Sequence, residues 1–386
     1  MKRKNSKKRA RVASLILLCA FICLLMPISA KSSSLPVFSG GDISAESAIL
    51  IDLDQKSIIF EKNSKKRMGE ASTTKIMTAL VVAERLPLNK KVTVPSAAVG
   101  VEGSSVYLCE GEILTVRELL LALLLESAND AAVALAIATA GSVESFSALM
   151  NSHARELGLC DTHFCNPHGL FDEDHYTTAQ DLALISAAAL ENEDLREIFV
   201  TKKTTIPCKV TATDPDGDGV RYLKNHNRML SLYEGAIGLK TGYTKATGRC
   251  LVSAAERDGM TLIAVTLNAP DDWRDHTAML DYGFSSYERV TLLGEGELRY
   301  SYAVSGGERA QVIATNSEPI ILTLPRERTS AQTAVCFPQR FEIAPISKGE
   351  ELGCVTVSCG GLSASSPLVA YESVERAKRS KFELFT

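Results

Sequence analysis

Several absences narrow this 386-residue sequence before any motif is considered. Beyond the N-terminal thirty residues no apolar run reaches the roughly 20 residues needed to cross a bilayer, which excludes a multi-pass membrane protein. No internal repeat is present, which excludes a solenoid or propeller. Residues 1–30 contain no acid and seven bases, so the formal charge of −4 becomes −11 for the remainder, a poor surface for nucleic acid. Metal-ligand spacing is also missing. Cys160, His163, Cys165 and His168, with His153 nearby, match no common zinc finger. Asp214, Asp216, Asp218 and Gly219 imitate the start of a calcium loop, but Asn225 stands where a bidentate glutamate is needed, so a hairpin tip is expected there. No metal and no cofactor are expected. The apolar content of 45% is enough for a full core, and the length suits two domains.

The N-terminus reads as a targeting segment. Lys2, Arg3, Lys4, Lys7, Lys8, Arg9 and Arg11 precede a nearly continuous apolar run from Val12 to Ile28, followed by Ser29-Ala30. This is the charged, apolar, small-residue order of a secretory signal peptide over residues 1–30, with Pro27 favouring cleavage near Ala30 and an uncleaved anchor as the alternative. Either way the protein works outside the cytoplasm. Eight of the ten cysteines lie beyond residue 30, and in an exported chain that even number permits disulfides without requiring them. Cys354 and Cys359 read as flanking a short turn, and Cys160 and Cys165 are equally close; no pairing is assigned.

After a Ser/Gly-rich linker (Ser32 to Gly41), Ala48 to Leu53 and Ser57 to Phe60 read as strands joined by a tight turn. A helix opens at Ser72 and stops at Pro87. Thr115-Val116-Arg117-Glu118 is a capping box before the Leu119 to Leu125 run. Asp130 to Ala140 is a second apolar helix ended by Gly141, and Ser142 caps a third that ends at Gly158. Cys250 to Ala255 and Met260 to Asn268 flank Asp258-Gly259, a strong hairpin turn. Strands at both ends with helices between imply an α+β fold, an antiparallel sheet packed on a helical cluster, over residues 40–288. Short β-like runs follow (Ala310 to Ala314, Pro319 to Leu324, Gly353 to Ser358, Pro367 to Tyr371), giving a small all-β domain over 289–375 and a charged tail over 376–386.

Three short strings carry the chemistry: Ser72-Thr73-Thr74-Lys75, Ser127-Ala128-Asn129 and Lys240-Thr241-Gly242. Each alone is weak; together, in this order, they form the S-x-x-K, S-x-N, K-T-G series of serine acyl-transfer enzymes, with alanine in the middle slot of the second. A serine hydroxyl needs a base to become a nucleophile, and Lys75 lies three residues from Ser72 on one helical face. Lysine must be neutral to act as that base, so its pKa has to fall through burial and a nearby cation, for which Lys240 is the natural source. Ser127 and Asn129 occupy the short gap between two very apolar helices, a rigid place from which to relay a proton and to bind a peptide. In the third string Gly242 lets a ligand backbone approach, while Lys240 and the Thr241 hydroxyl can hold a carboxylate. Taken singly, the same residues would be a helix cap, turn filler and a strand edge.

With these motifs the chain resembles the D-alanyl-D-alanine carboxypeptidases of the low-molecular-mass penicillin-binding proteins, over about residue 40 to 375. Asn166-Pro167-His168-Gly169-Leu170, Tyr176-Thr177-Thr178-Ala179, Asn225-His226-Asn227-Arg228 and Asp281-Tyr282-Gly283-Phe284 also resemble stretches of that family. The resemblance implies a β-lactamase/transpeptidase-like catalytic domain followed by a β-rich domain. It implies that Ser72 is the acyl-ester nucleophile, Lys75 its base and Ser127 the third catalytic group. Substrate would be bound by Asn129, Lys240, Thr241 and Gly242, with the backbone N–H groups of Ser72 and Tyr243 as oxyanion hole, and Arg274 helping to hold the terminal carboxylate. The substrate would be the D-Ala-D-Ala end of a peptidoglycan stem peptide, and β-lactams would inhibit covalently. Alternatives are a β-lactamase, for which no loop glutamate of the class A type is found, and a wall-binding module with a vestigial site. Glu375 to Phe385 is charged and short, with no apolar face for a membrane-anchoring helix. The expectation is a freely secreted bacterial protein or one with weak membrane association through its N-terminal segment.

Overall fold

Five strands build the central antiparallel sheet: β1 (Ser47–Asp52), β2 (Ile58–Lys62), β3 (Ala236–Thr244), β4 (Gly248–Arg257) and β5 (Met260–Leu267), in the order β2-β1-β5-β4-β3. The computed structural model describes Phe38 and residues 40–208, 219–328 and 330–378. The targeting segment over 1–30, most of the Ser/Gly linker, the Asp214 to Asp218 stretch and the end of the charged tail lie outside the described residues. Both faces of the sheet are buried. Ile49 and Ile51 of β1 face the helical cluster while Ala48 and Leu50 face the opposite layer; Val252 and Leu251 in β4 divide in the same way. A sheet covered on both sides needs apolar residues at consecutive positions, which is why these strands read as continuous apolar runs.

The helical cluster contains α1 (Lys75–Arg85), α2 (Val116–Leu125), α3 (Asn129–Ala140), α4 (Val143–Glu156), α5 (Ala179–Glu191) and α6 (Glu193–Val200). Helix α3 buries every residue from Asn129 to Ala136, as expected of a core helix that is apolar from Ala131 to Ala138. Several helix ends are set locally: Thr115 and Glu118 form the capping box of α2, Gly141 closes α3 at φ 84°, and Ser142 caps α4. Helix α7 (Asp272–Ser286) covers the other face of the sheet. There Gly283 permits close packing, because a Cβ at that position would stand 2.4 Å from Leu262 Cδ1. The α3–α4 pair is apolar enough to pass for a membrane span broken by an 81° bend, but among the described residues no single helix is long and apolar enough to cross a membrane.

The C-terminal part is β-rich, as expected for the fold class. A six-stranded sheet includes Gln311–Asn316, Glu351–Cys359 and Leu362–Ala370, around a core of Val312, Leu352, Val355 and Leu368. Ile320–Pro325 pairs instead with Tyr287–Leu293, a strand that contains the expected boundary at 288/289. Thr323 Oγ1 donates to Asp52 Oδ2 at 2.7 Å, tying this pair to β1. Two local readings change. Cys354 and Cys359 lie in one strand and do not flank a turn. Ser72 precedes the α-helix rather than opening it: it sits in a 3₁₀ turn, Ala71–Thr74, where Thr73 and Thr74 hydroxyls bond the carbonyls of Glu70 and Ala71 and tighten the chain.

Candidate active site

The turn that carries Ser72 stacks directly on α1, so Lys75 follows within reach. Lys75 Nζ donates to Ser72 Oγ at 3.0 Å and to His168 O at 2.6 Å. Lys75 is fully buried; desolvation, reinforced by the Lys240 charge, holds its pKa well below the usual lysine value, against a smaller opposing pull from Asp130. The loop behind it explains the Asn166 to Leu170 stretch. Asn166 Oδ1 accepts from Gly169 N, Thr78 Oγ1 donates to Pro167 O, and Gly169 passes so close to the nucleophile turn that a Cβ there would lie 1.9 Å from Ala71 O. Thr177 pairs with Met68, which fixes the chain just before the turn.

Ser127 falls between α2 and α3 with φ 60°, a left-handed conformation uncommon outside glycine and typical of positions held by their surroundings for function. Asn129 is the first residue of α3; its backbone N–H donates to Ser104 O and its Nδ2 to Glu102 O, so it secures the loop that delivers Ser104. Its Oδ1 is buried without a hydrogen-bond partner among the described residues.

Strand β3 is the free edge of the sheet and runs along the Ser72 turn. A Cβ on Gly242 would lie 2.9 Å from Glu70 O and 3.0 Å from Ser72 N, so only glycine allows this approach. Lys240 is buried beneath, with Nζ donating to Thr241 O at 2.9 Å, and burial pushes its pKa down to about 7 against the upward pull of Glu126.

These elements enclose a cavity of about 350 Å³ whose wall includes Ser72, Ser127, Thr241, Gly242 and Tyr243. Lys75, Lys240 and Asn129 stand behind the wall rather than on it. Five further residues complete the wall without having been singled out for a role: Ser104, His226, Arg249, Asp272 and Trp273. Arg249 Nη2 donates to Asp272 Oδ1 at 2.8 Å, and His226 Nε2 lies 3.0 Å from Glu126 Oε2. Arg274 is placed differently from expectation. It is largely exposed, paired with Asp271 at 3.2 Å in the first turn of α7, and does not line the cavity. The reason is helical phase: Asp272 and Arg274 are two residues apart and point to different sides. Arg249 could have been found by counting back along the β3–β4 hairpin, where it pairs with Tyr243. The Asn225 to Arg228 stretch brings His226 here, Asn227 Nδ2 being anchored on Val252 O. Elsewhere, no three His, Cys, Asp or Glu residues converge as metal ligands among the described residues.

A family model for D-alanyl-D-alanine carboxypeptidases (peptidase family S11) matches residues 30–271, and one for the C-terminal domain of penicillin-binding protein 5 matches 287–376. The chain is 35% identical over 343 residues to D-alanyl-D-alanine carboxypeptidase DacF of Bacillus subtilis, covering 86% of each. It is 31% identical to D-alanyl-D-alanine carboxypeptidase DacC of Escherichia coli, over 92% of this chain and 90% of the relative. Among solved structures, a peptidoglycan synthesis regulatory factor (PBP3) from Streptococcus pneumoniae superposes with a TM-score of 0.74 at 26% identity, covering 86% of this chain and all of that one. Penicillin-binding protein 5 from Haemophilus influenzae gives 0.70 at 27% identity over 86% and 98%. With the paired serine and lysine, the glycine-lined edge strand and the β-rich C-terminal part all in place, the chain belongs to the D-alanyl-D-alanine carboxypeptidase family.

Proposed function

We propose that this serine D-Ala-D-Ala carboxypeptidase trims peptidoglycan stem peptides through an acyl-enzyme on Ser72. The observation that carries the assignment is the buried Lys75 amine, 3.0 Å from the Ser72 hydroxyl, in surroundings that favour its neutral form. Its lone pair takes the Ser72 proton as Oγ attacks the carbonyl of the penultimate D-alanine. The developing oxyanion lies toward the N–H groups of Ser72 and Tyr243. Ser127 passes the proton to the departing D-alanine amine; water then attacks the ester and restores Ser72. The free C-terminal carboxylate is held by Lys240 and Thr241, and Arg249 is better placed than Arg274 to assist. Asn129 contributes by fixing the Ser104 loop beside the cavity.

The enzyme works outside the cytoplasm. The basic cluster, apolar run and Ser29-Ala30 support an N-terminal segment that is cleaved near Ala30 or retained as a weak membrane tether. β-Lactams carry the same acyl and carboxylate features as the substrate and acylate Ser72. A fluorescent penicillin tests the assignment: wild type should hold the label, whereas a β-lactamase would shed it quickly and a wall-binding module would take none. Ser72→Ala should take no label while circular dichroism shows an unchanged fold. A persistent adduct on Ser72→Ala, seen by intact mass, would mean that another residue is the nucleophile.

A further inference from the structure

The strand Gln332–Cys336 is the outermost of the six-stranded C-terminal sheet, pairing on one side only, with Glu351–Cys359. Its side chains are largely exposed, so the backbone ladder does most to hold it in place. Such an edge is prone to fray and to pair with other chains. At the last rung of this ladder Cys336 stands directly opposite Cys354.

Directly opposed residues of an antiparallel pair point to the same face, with Cα atoms about 4.5–5.5 Å apart. That spacing falls inside the window of about 4.4–6.8 Å that a disulfide spans. The approach here is close by a separate measure, since a Cβ on Gly353 would stand 2.3 Å from Cys336 O. Both thiols are reachable, Cys336 being exposed and Cys354 partly so. The competing partner is excluded by strand geometry. Cys359 lies five residues along the same strand, about 16 Å away. An odd separation puts it on the opposite face, where it is buried against Leu322 and Leu324.

We infer that Cys336 and Cys354 form a cross-strand disulfide in the mature extracytoplasmic protein, stapling the edge strand of the C-terminal sheet. The oxidant is a disulfide of the surrounding medium, low-molecular-mass or protein-borne. The Cys336 thiolate attacks it, forming a mixed disulfide and expelling one thiolate; the Cys354 thiolate then attacks the Cys336 sulfur, closing the bond and expelling the second. Two electrons pass to the oxidant, and the two cysteine protons leave to solvent or the expelled thiolates. The closed loop restricts the unfolded chain between residues 336 and 354 and leaves the acylation site untouched.

The test is peptide mapping of the full chain after equilibration with oxidised glutathione, blocking of remaining thiols, and tryptic digestion without reduction. The expected product joins peptide 329–340 to peptide 349–376 at the summed mass less two hydrogens, plus one blocking group on Cys359. It should persist in Cys359→Ser and vanish in Cys336→Ser and Cys354→Ser, while all variants keep wild-type penicillin labelling. Free, blocked Cys336 in the wild type, a link that survives Cys354→Ser, or a link of Cys336 to a second copy of the chain would each overturn the proposal.

Discussion

Replacing Lys240 by methionine should make the protein more stable and much less active. Lys240 is buried with a single hydrogen bond from its ammonium, to Thr241 O, and its pKa falls from 10.5 to about 7. At about 1.4 kcal/mol per pH unit, that fall corresponds to about 5 kcal/mol by which folding disfavours the charged form. The sign follows from proton linkage. Between pH 7 and 10.5 the unfolded lysine holds its proton and the folded one does not, so wild-type stability rises with pH across that window. Below pH 7 both states are protonated and the full cost is present. Methionine has similar length and no charge, so Lys240→Met should exceed wild type in urea-derived stability at pH 6 by a large part of that 5 kcal/mol. The gap should narrow steadily as the pH is raised from 7 toward 10. Penicillin acylation should fall at the same time, since losing a charge-assisted pair costs about 2–5 kcal/mol, or roughly 30- to 4,000-fold. A variant less stable than wild type at pH 6, or a stability difference independent of pH, would refute the reasoning that Lys240 is held charged against its surroundings.

Three further outcomes are expected. The second-order rate of acylation should rise with pH through a Lys75 pKa that lies well below the usual lysine value, and Lys240→Met should move that rise to higher pH because the repelling charge is gone. Arg249→Ala should raise KM about tenfold or more for a peptide ending in free D-Ala-D-Ala while changing amide-ended peptides little; Arg274→Ala, an exposed pair worth about 0–1 kcal/mol, should leave both nearly unchanged. Gly242→Ala should fold but lose about 100-fold or more in acylation, because its methyl would displace the Ser72 turn from β3, measurable with the same penicillin assay.

The parts of the fold that were legible in the sequence are those fixed by local chemistry. The Thr115 to Glu118 box, the Ser142 cap, the αL Gly141 and the Asp258-Gly259 turn all act over a few residues, and each stands where its pattern placed it. The three strings were legible because each keeps a fixed spacing over at most four consecutive residues, whichever elements meet there. What escaped depends on how elements meet. Arg249 enters the cavity through hairpin register, His226 through a loop anchored on β4, and Asp272 and Trp273 through the docking of α7. Asn129 shows the same limit: the sequence placed it in the gap before a helix starting at Asp130, whereas it is the first residue of α3, and the two bonds that commit it to the Glu102–Ser104 loop were not readable. The cysteines show it most sharply, since neighbours in sequence, Cys354 and Cys359, are on opposite faces, while Cys354 meets Cys336 across the ladder.

The two lysines divide the chemistry by environment, although their side chains are identical. Both are buried, so desolvation lowers both, but Lys75 also feels the charge of Lys240, which adds to its fall. Below about pH 7 Lys240 keeps its charge, and that charge favours a neutral Lys75 beside it. In that range one lysine can accept a proton from Ser72 while the other attracts a carboxylate. A bound carboxylate widens the range, because an anion beside Lys240 favours its charged form and raises its pKa above the value in the empty cavity. The falling limb of the pH profile should therefore lie near 7 for kcat/KM, which reports the free enzyme, and at higher pH for kcat, which reports the complex.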